Sequence, residues 1–372
     1  MENKKLNILG LSLFGRQGAS SRYRLYQYIP YLKKDGIECK VLPLINDRAY
    51  NILLGLKKVN KFLKPVIKSY LVISALFKRF FHILQARRYD VIFIQKDVLP
   101  SFYLFLLRKL NNNIIFDLDD ALYENHSTIK PSFFSLDYIF FKLRKNNLVK
   151  MLKCAKAVTV TTPYLAEYVK KFNKNVHIIT GPIDSSLYIP LKKDHRSKIV
   201  IGWIGSPVTT KYVQDISEVL IELQNKYSNI EFHLIGAKKF ELKNVNIQFL
   251  DWSEETEIKL LSDFDIGIMP LTDDKWSKGK GGLKILQYFA MSLPVVCSPI
   301  GINNQLISQG KNGFGAKSAE DWIEYLDILI NNEDLRKEMG KNGRKIIEEK
   351  YDLKKASGYL AEIIITELER KT

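Results

Sequence analysis

The chain has 372 residues, 46% of them hydrophobic, and carries 57 lysines and arginines against 40 acidic residues, for a net charge of +17. A single core stops growing near roughly 250–300 residues, so we expect two domains. The positive charge predicts an anionic partner, namely nucleic acid, acidic lipid or a phosphorylated substrate. The three cysteines are widely spaced, which indicates neither a disulfide framework nor a zinc site and fits a reducing compartment.

The first half of the sequence alternates short apolar runs with amphipathic segments, a pattern typical of a parallel sheet with crossover helices. Its start lacks the length and the small-residue cleavage site of a signal peptide, so it is interpreted as the first strand. No run approaches the roughly 18 apolar residues of a membrane-spanning helix. Six strands are predicted in this half, at Leu6–Leu13, Glu38–Leu44, Val91–Gln95, Asn113–Asp117, Ala157–Thr161 and His177–Ile179.

A glycine-containing loop with three arginines follows the first predicted strand and leads into a tyrosine-rich helix. It contains Gly15, Arg16, Arg22 and Arg24. A guanidinium can donate two parallel hydrogen bonds to a phosphate. We therefore interpret the loop as an anion-binding site, with solvent-exposed arginines as the alternative.

Residues 53–88 combine basic and apolar side chains without a single acidic residue. This composition is typical of a basic amphipathic helix in a membrane interface, with Pro65 as a kink or a break. The alternative is a solvated basic helix whose apolar side packs on its own domain. The aromatic residues follow a helical stripe, and no zinc-finger or RRM signature is present, which argues against a nucleic-acid partner. The basic residues are Lys57, Lys58, Lys61, Lys64, Lys68, Lys78, Arg79, Arg87 and Arg88.

An apolar strand ends in the acidic sequence Asp117-Leu118-Asp119-Asp120. It resembles the opening motif of the haloacid-dehalogenase phosphatases, in which the first Asp attacks phosphorus and the second is an acid and base. That family has Thr or Val where this chain has Ala121, and it carries the motif near the start of a domain. The metal-binding Asp-x-Asp of single-domain glycosyltransferases is a second interpretation, and capping of the next helix is a third.

A second series of strands begins after a break between Pro182 and Lys198, where glycine, proline and a polar run interrupt any regular pattern. The break predicts an N-terminal domain of residues 1–186 and a C-terminal domain of residues 187–352. The strands are predicted at Ile199–Ile204, Ile230–Ile235, Ile247–Phe249, Ile266–Met269 and Pro294–Cys297, and the helices near Val213–Lys226, Glu254–Ser262, Leu283–Ala290 and Glu320–Asn331.

The most informative stretch is a glycine-rich loop directly before the predicted helix Leu283–Ala290. Bare backbone N–H groups and the positive end of a helix make a place where a diphosphate can bind. Neighbouring lysines add charge for phosphate contacts. The alternative is a tight loop with glycines for steric fit and lysines in solvent. The glycines are Gly279, Gly281 and Gly282, and the lysines are Lys278, Lys280 and Lys284.

This loop and helix resemble those of glycosyltransferase family 4, which has the GT-B fold. The family has a Glu, seven residues, a second Glu and then Ala-x-Gly-x-Pro-Val-Val, and this chain matches at Ala290 and Pro294. The two acidic positions fall on Gly279 and Gln287. In the family the first Glu addresses the donor sugar and the second the ribose. Nothing replaces the first carboxylate here, whereas the Gln287 amide can still bind a ribose.

A second match lies at the start of the C-terminal domain. The family has a strand, Gly-Arg, four residues and a Lys, and both basic residues hold the donor diphosphate. Gly205-Ser206 and Lys211 occupy these positions, so Ser206 replaces the Arg. The alternative is an ordinary strand–loop–helix connection in which a Ser or Thr caps the helix. The donor site implied by the resemblance comprises Gly205, Ser206, Lys211, Lys280, Gly281, Gly282, Leu283, Lys284 and Gln287.

The resemblance extends to the closing helices and implies an α/β protein with two Rossmann-like domains facing a cleft. Residues 353–372 would cross back onto the N-terminal domain. It implies retaining transfer of a sugar from a nucleotide-diphosphate donor, without a cofactor or an obligatory metal. Lys211 and Lys284 would stabilise the leaving phosphate. Asp119 and Asp120 would lie on a cleft-facing loop near the acceptor, and this is the interpretation of the acidic sequence that we favour. Asp119 is then a catalytic candidate beside Lys211 and Lys284.

The basic N-terminal half favours a lipid-linked or otherwise anionic acceptor, with the protein bound peripherally to the cytoplasmic face of a bacterial membrane. The expected role is synthesis of a surface polysaccharide or glycolipid. Two alternatives stay open at this point. One is a phosphohydrolase that uses Asp117 and Asp119, and the other is a non-catalytic GT-B binding protein, suggested by Gly279 and Gln287.

Overall fold

The computed structural model describes residues 5–55, 63–124, 136–190 and 198–370. They form two compact units, one of the residues up to Thr180 with those from Lys354 onward, and the other of Gly181–Leu353. Lys57, Lys58 and Lys61 and the polar run 192–197 lie outside the described residues, as do the side chains of Lys64 and Lys68.

The first unit is built on a six-stranded parallel sheet in the order β2-β1-β3-β4-β5-β6. Its central strands β3 and β4 are buried along their whole length, which explains why they are almost continuous apolar runs. The strands are β1 Leu6–Phe14, β2 Ile37–Ile45, β3 Val91–Gln95, β4 Ile114–Leu118, β5 Ala157–Val160 and β6 Val176–Ile178. The helices are α1 Ala19–Arg24, α2 Ile29–Lys34, α3 Asp47–Gly55, α4 Leu63–Leu84, α5 Ser101–Leu110, α6 Leu136–Cys154 and α7 Pro163–Val169.

The second unit is a six-stranded parallel sheet in the order β12-β11-β10-β7-β8-β9. Its strands are β7 Ile199–Ile204, β8 Ile230–Ile235, β9 Ile247–Leu250, β10 Ile266–Met269, β11 Val295–Cys297 and β12 Gly313–Gly315. Its helices are α8 Lys211–Gln214, α9 Ser217–Lys226, α10 Glu257–Ser262, α11 Lys275–Lys278, α12 Leu283–Ala290, α13 Asn303–Leu306, α14 Ala319–Asn331 and α15 Glu333–Ile346. The closing helix, α16 Leu353–Glu369, belongs to the first unit. Two parallel α/β units confirm the predicted fold class.

Two helices differ from the sequence-based prediction. The helix expected at Val213–Lys226 is divided into α8 and α9, and the hydroxyl of Ser217 donates to the Gln214 carbonyl at 2.6 Å in the turn between them. Helix α4 continues through Pro65 and is not split there. No helix in the described part of the chain combines the length and apolarity needed to span a bilayer.

Two glycines on adjacent strands make room for aromatic rings in the core of the second unit. Gly202 on β7 pairs with Gly267 on β10. A Cβ on Gly202 would lie 2.0 Å from the ring of Phe264, and a Cβ on Gly267 would lie 2.5 Å from the ring of Tyr288. Interiors are packed too densely to absorb such overlaps, so both positions require glycine for steric reasons.

We expect Gly202→Ala to lower the free energy of unfolding by about 1–3 kcal/mol, the usual cost of overpacking a core. The matched control is Gly358→Ala, since Gly358 lies on the exposed side of α16, where a Cβ would meet no neighbouring group within 4 Å. Alanine should stabilise that helix by up to about 1 kcal/mol. Thermal and urea unfolding of both variants will check this. Equal stability of the two variants would contradict the packing described.

Candidate active site

Three lysines gather at the carboxyl edge of the second sheet, around Trp203 and Tyr212. Nζ of Lys211 lies 5.1 Å and Nζ of Lys280 lies 6.0 Å from the centroid of the same Tyr212 ring. Nζ of Lys284 lies 5.5 Å from the centroid of the Trp203 ring. Aromatic faces attract cations within about 6 Å. The Tyr212 ring therefore attracts two of the ammonium groups and the Trp203 ring the third, at the edge where parallel α/β sheets bind ligands.

Glycines shape the two loops that bring these lysines together. Gly282, directly before α12, has φ +67°, and a Cβ there would lie 2.6 Å from Leu306. A Cβ on Gly205 would lie 2.2 Å from the Trp203 ring. Gly282 thus turns the chain sharply into α12, whose N-terminus carries no side-chain cap. Lys280 and Gly281 precede this turn and Leu283 begins the helix.

Ser206, which stands where the related family has Arg, is exposed in a compact turn after β7. Its N–H donates to Oγ1 of Thr209 at 3.0 Å, and the Thr209 N–H donates to the Ser206 carbonyl at 2.9 Å. The turn leads directly to Lys211. Lys211, which matches the Lys of the family pattern, is therefore the basic residue that this loop presents.

Gln287 is buried on α12, and its side chain belongs to a network inside the second unit. Its amide nitrogen donates to Oε1 of Glu257 at 3.0 Å. Glu257 also accepts from Nε1 of Trp252 at 2.5 Å and from the hydroxyl of Tyr188. Because a carboxylate only accepts, the Gln287 amide nitrogen must face Glu257 and its carbonyl oxygen must point elsewhere. Sequence reasoning missed Glu257, since nothing in its local pattern distinguishes it from the other acids before α10.

A row of polar side chains crosses the carboxyl edge of the first sheet. Strand register places Ser12, Gln95, Asp117 and Thr159 side by side on β1, β3, β4 and β5. All four are fully buried. Buried polar groups must find hydrogen-bond partners inside the protein, and helix α1 supplies one of them, because the hydroxyl of Ser21 donates to Gln95 at 2.7 Å.

Asp117 is the counterion of a buried arginine. Nη2 of Arg24 lies 2.5 Å and Nε lies 3.1–3.2 Å from the Asp117 carboxylate, and Nη1 donates to the Ile179 carbonyl. The hydroxyl of Thr159 donates to Asp117 at 2.6 Å. Burial lowers the pKa of Arg24, but Asp117 more than offsets this, so the pKa lies above its ordinary value. Arg24 is thus occupied within the fold rather than gripping a ligand, and Asp117 is not presented as a phosphatase nucleophile.

Asp119 and Asp120 follow β4 and are joined by a lysine that sequence reasoning missed. Nζ of Lys96 lies 3.2 Å from Oδ1 of Asp119, pairs with Asp120, and donates to the hydroxyl of Ser20 at 2.9 Å. Burial raises the pKa of Asp119, whereas the Lys96 ammonium opposes this shift. No sequence motif marks Lys96, which stands immediately after β3.

The remaining residues of the predicted arginine loop have different surroundings. Gly15 is buried, and a Cβ there would lie 2.3 Å from the carboxylate of Asp47. Arg16 is exposed, whereas Arg22 is buried with its Cζ 4.9 Å from the centroid of the Tyr23 ring. The loop thus presents one arginine outward and uses the other two in packing.

Comparison with solved structures and family models identifies this architecture. The structure of Anabaena HepE in complex with UDP-glucose matches with a TM-score of 0.68 at 15% identity, covering 97% of this chain and 100% of that one. Residues 190–346 match the family model Glycosyl transferases group 1. The chain therefore has the GT-B fold. The lysine cluster and both glycine loops lie within the residues that match the family model.

Two curated proteins of Staphylococcus aureus are similar to this GT-B chain. The poly(ribitol-phosphate) alpha-N-acetylglucosaminyltransferase of strain COL is 26% identical over 227 residues, which is 58% of this chain. The capsular polysaccharide biosynthesis glycosyltransferase CapM is 23% identical over 168 residues, or 42% of this chain. The alignment covers 43% of the length of each relative.

The burial of Asp117 generates a test of its role. We expect Asp117→Asn to lower the free energy of unfolding by about 3–5 kcal/mol, because it leaves the buried Arg24 without its counterion. Asp35→Asn is the control, since Asp35 is exposed. Urea unfolding gives the stabilities, and hydrolysis of p-nitrophenyl phosphate with magnesium should be absent in all variants. Unchanged stability of Asp117→Asn together with loss of a wild-type phosphatase activity would reverse this assignment.

Proposed function

We propose that the protein is a retaining glycosyltransferase that moves a sugar from a nucleotide-diphosphate donor to a membrane-associated or glycan acceptor. Its role would be bacterial surface polysaccharide or glycolipid synthesis, as the names of the staphylococcal relatives suggest. The observation that carries the proposal is the convergence of Lys211, Lys280 and Lys284 beside the Gly282 turn, within the domain that matches the glycosyltransferase family.

The chemistry of this cluster suits a leaving diphosphate. Negative charge builds on the β-phosphate as the bond to the sugar breaks, and preorganised positive groups stabilise such charge best. Lys211 and Lys284 supply two ammonium groups, and the turn at Gly281–Gly282 presents backbone N–H groups at the start of α12. Gly205 and Ser206 would border the phosphates from the β7 loop. No metal is required in this scheme.

The absence of both family carboxylates is the strongest departure from the family pattern. Gly279 offers no side chain to the donor sugar. At the ribose position, the carboxylate of Glu257 accepts a hydrogen bond from the Gln287 amide and orients it. A carboxylate is thus still present, behind Gln287 rather than in contact with the ribose. A non-catalytic nucleotide-sugar-binding protein is the second candidate that these two positions favour.

Acceptor recognition is assigned to the first unit. Asp119 and Asp120 lie at the carboxyl edge of its sheet, and Arg16 is exposed on the loop after β1. Asp119 would accept a hydrogen bond from the acceptor hydroxyl, a role that suits a carboxylate held in place by neighbours.

The first unit also carries an exposed apolar stripe that favours a membrane-bound acceptor. Residues three or four apart on α4 share one face, and on this face Tyr70 and Phe77 are 70% and 66% exposed. Phe102 and Phe105 of α5 are exposed as well. These exposed apolar side chains of α4 are thus not packed on their own domain, which counts against the solvated-helix alternative. The exposed stripe comprises Val66, Tyr70, Ile73, Phe77, Phe81 and Leu84.

Donor panels test the transferase proposal directly. Nucleoside diphosphate release should be detected with one of UDP-, GDP- or ADP-sugars, should persist in EDTA, and should yield product of the donor's anomeric configuration by NMR. Release without sugar transfer would show a hydrolase. Tight binding without any release would favour the non-catalytic alternative.

Lys211→Ala and Lys284→Ala should each weaken nucleoside diphosphate binding or turnover by about tenfold or more, as loss of a charged contact of about 1.5–3 kcal/mol implies. Lys341→Ala, which removes an exposed lysine from α15 of the same unit, should behave as wild type. Calorimetric titration and steady-state kinetics will check this. Wild-type behaviour of both site variants would remove the assignment.

We expect the protein to sediment with vesicles containing anionic lipid and not with neutral vesicles. Each basic group near an anionic surface contributes about 1 kcal/mol before screening, and 1 M salt shortens the Debye length to about 3 Å and should release the protein. Phe77→Ser with Phe81→Ser should weaken binding through lost apolar insertion. Replacement of five lysines by Gln should abolish it, namely Lys57, Lys58, Lys61, Lys64 and Lys68.

The control for this experiment removes the same charge from the second unit. Gln replaces five exposed lysines there, namely Lys239, Lys243, Lys337, Lys341 and Lys345. This variant should bind anionic vesicles as the wild type does. If both five-lysine variants lose binding equally, net charge rather than the α4 surface is responsible.

A further inference from the structure

Lys96 has a backbone conformation that its side chain does not favour. Its φ is +59°, one of three positive values among the described residues other than glycine. Glycine and asparagine adopt this region more easily than lysine. The Lys96 N–H nevertheless donates to the Asp117 carbonyl at 2.9 Å, so the residue is fixed to β4. Strain of this kind persists only where the surroundings impose it, and it concentrates at functional sites.

The conformation directs the Lys96 ammonium to the acidic pair. The side chain is only 11% exposed, and its Nζ contacts both carboxylates and the hydroxyl of Ser20 on α1. Like charges as close as those of Asp119 and Asp120 disfavour joint ionisation, and a cation between them reduces that penalty. The ammonium therefore sets both the charge and the position of the two carboxylates.

The next residue holds this corner from the opposite side. Asp97 is buried, and its carboxylate lies 2.8 Å from Nε of Arg79 on α4. The Arg79 guanidinium also donates to the carbonyls of Ser12 at 2.8 Å and Leu42 at 3.0 Å. Lys96 and Asp97 thus form a corner anchored to β1, β2 and α4 on one side and to the acidic pair on the other.

We propose that Lys96 is a positioning residue of the transferase, which holds Asp119 and Asp120 together so that Asp119 meets the acceptor hydroxyl. The part concerning the acceptor rests on the proposed function. Lys96 touches the carboxylates rather than the substrate, and it acts through them.

Three substitutions separate charge from backbone strain. Asn adopts a positive φ more easily than Lys, so Lys96→Asn removes the charge without adding backbone strain. Lys96→Gly also removes the charge and leaves no side chain. Lys96→Arg keeps the charge. We expect the Asn and Gly variants to fold with reduced stability, because Asp119 and Asp120 lose their counterion, and to lose at least about tenfold in kcat/KM for sugar transfer. Lys96→Arg should retain most activity. Nucleoside diphosphate affinity should not change in any of them, because the donor lysines belong to the other unit.

The pH profile is a readout that a purely structural role would not move. Asp119 is faced by Lys96 from the corner after β3, by Ser20 and Arg24 from α1, and by Asp117 and Asp120 from its own segment. Without the ammonium the carboxylates protonate at higher pH, so activity that needs ionised Asp119 is lost at higher pH. The midpoint of the acid limb of the pH–activity profile should therefore shift to higher pH by about one unit or more in Lys96→Asn and stay unchanged in Lys96→Arg.

Carboxyl carbon NMR of Asp119 and Asp120 makes the test independent of turnover. If no donor is turned over, the proposed function fails, while the titration still reports on Lys96. We expect a raised carboxyl pKa in Lys96→Asn and Lys96→Gly and a wild-type value in Lys96→Arg. Unchanged carboxyl titrations in all three, or wild-type kinetics and pH profile in Lys96→Asn, would overturn the proposal.

Discussion

The described strand pairs of both sheets are parallel, and this constraint decides where the reactive side chains can lie. The carboxyl ends of parallel strands meet at one edge, so loops distant in sequence become neighbours. In the first sheet this edge joins the polar row, Lys96 and the acidic pair. In the second it joins the turn after β7 to the glycine loop before α12. The edge of the first sheet thereby holds carboxylates paired with basic residues, and the edge of the second holds lysines.

Burying charge at such an edge requires partners, and the first unit pairs three largely buried cations with acids. Arg24 is paired with Asp117, Arg79 with Asp97, and Lys96 with Asp119 and Asp120. Removing one member of such a pair costs far more than the pair itself contributes. The ion pair and hydrogen bonds of Arg79 have a geometric consequence as well. It fixes one face of α4 against the sheet, so the apolar stripe on the opposite face remains exposed.

The arrangement also connects two functions proposed for the first unit. The helix that presents the apolar stripe and the acidic pair are both fixed to the dipeptide Lys96-Asp97. A membrane-bound acceptor would therefore approach along a surface whose position is defined relative to Asp119 by two ion pairs, rather than by a flexible loop. Precise positioning of catalytic groups is worth several kcal/mol in enzymes, about 7–11 kcal/mol at the extreme.

Hydrophobic periodicity predicted eleven of the twelve strands found in the described part of the chain, because buried parallel strands are short apolar runs with clear limits. It missed β12, whose three residues include two glycines and show no period. The glycine loop and Lys211 could be proposed from the sequence because spacing along one segment, and its resemblance to a family pattern, is visible there. Lys96, Glu257 and the Arg24–Asp117 pair could not, since each depends on register between strands or helices far apart in the chain. Arg24 in particular looks like its neighbour Arg16, and only the fold separates a buried counterion from an exposed cation.

The central claim is that the lysine cluster of the second unit recognises a nucleoside diphosphate. Calorimetric titration of the wild-type protein with UDP, UMP and uridine tests it most directly, with GDP and ADP as the alternative nucleotides. The account predicts that the diphosphate binds at least about tenfold more tightly than the monophosphate, that the nucleoside binds most weakly, and that added salt reduces these differences. Equal affinity for diphosphate and monophosphate, or no binding of any of the three diphosphates, would contradict it.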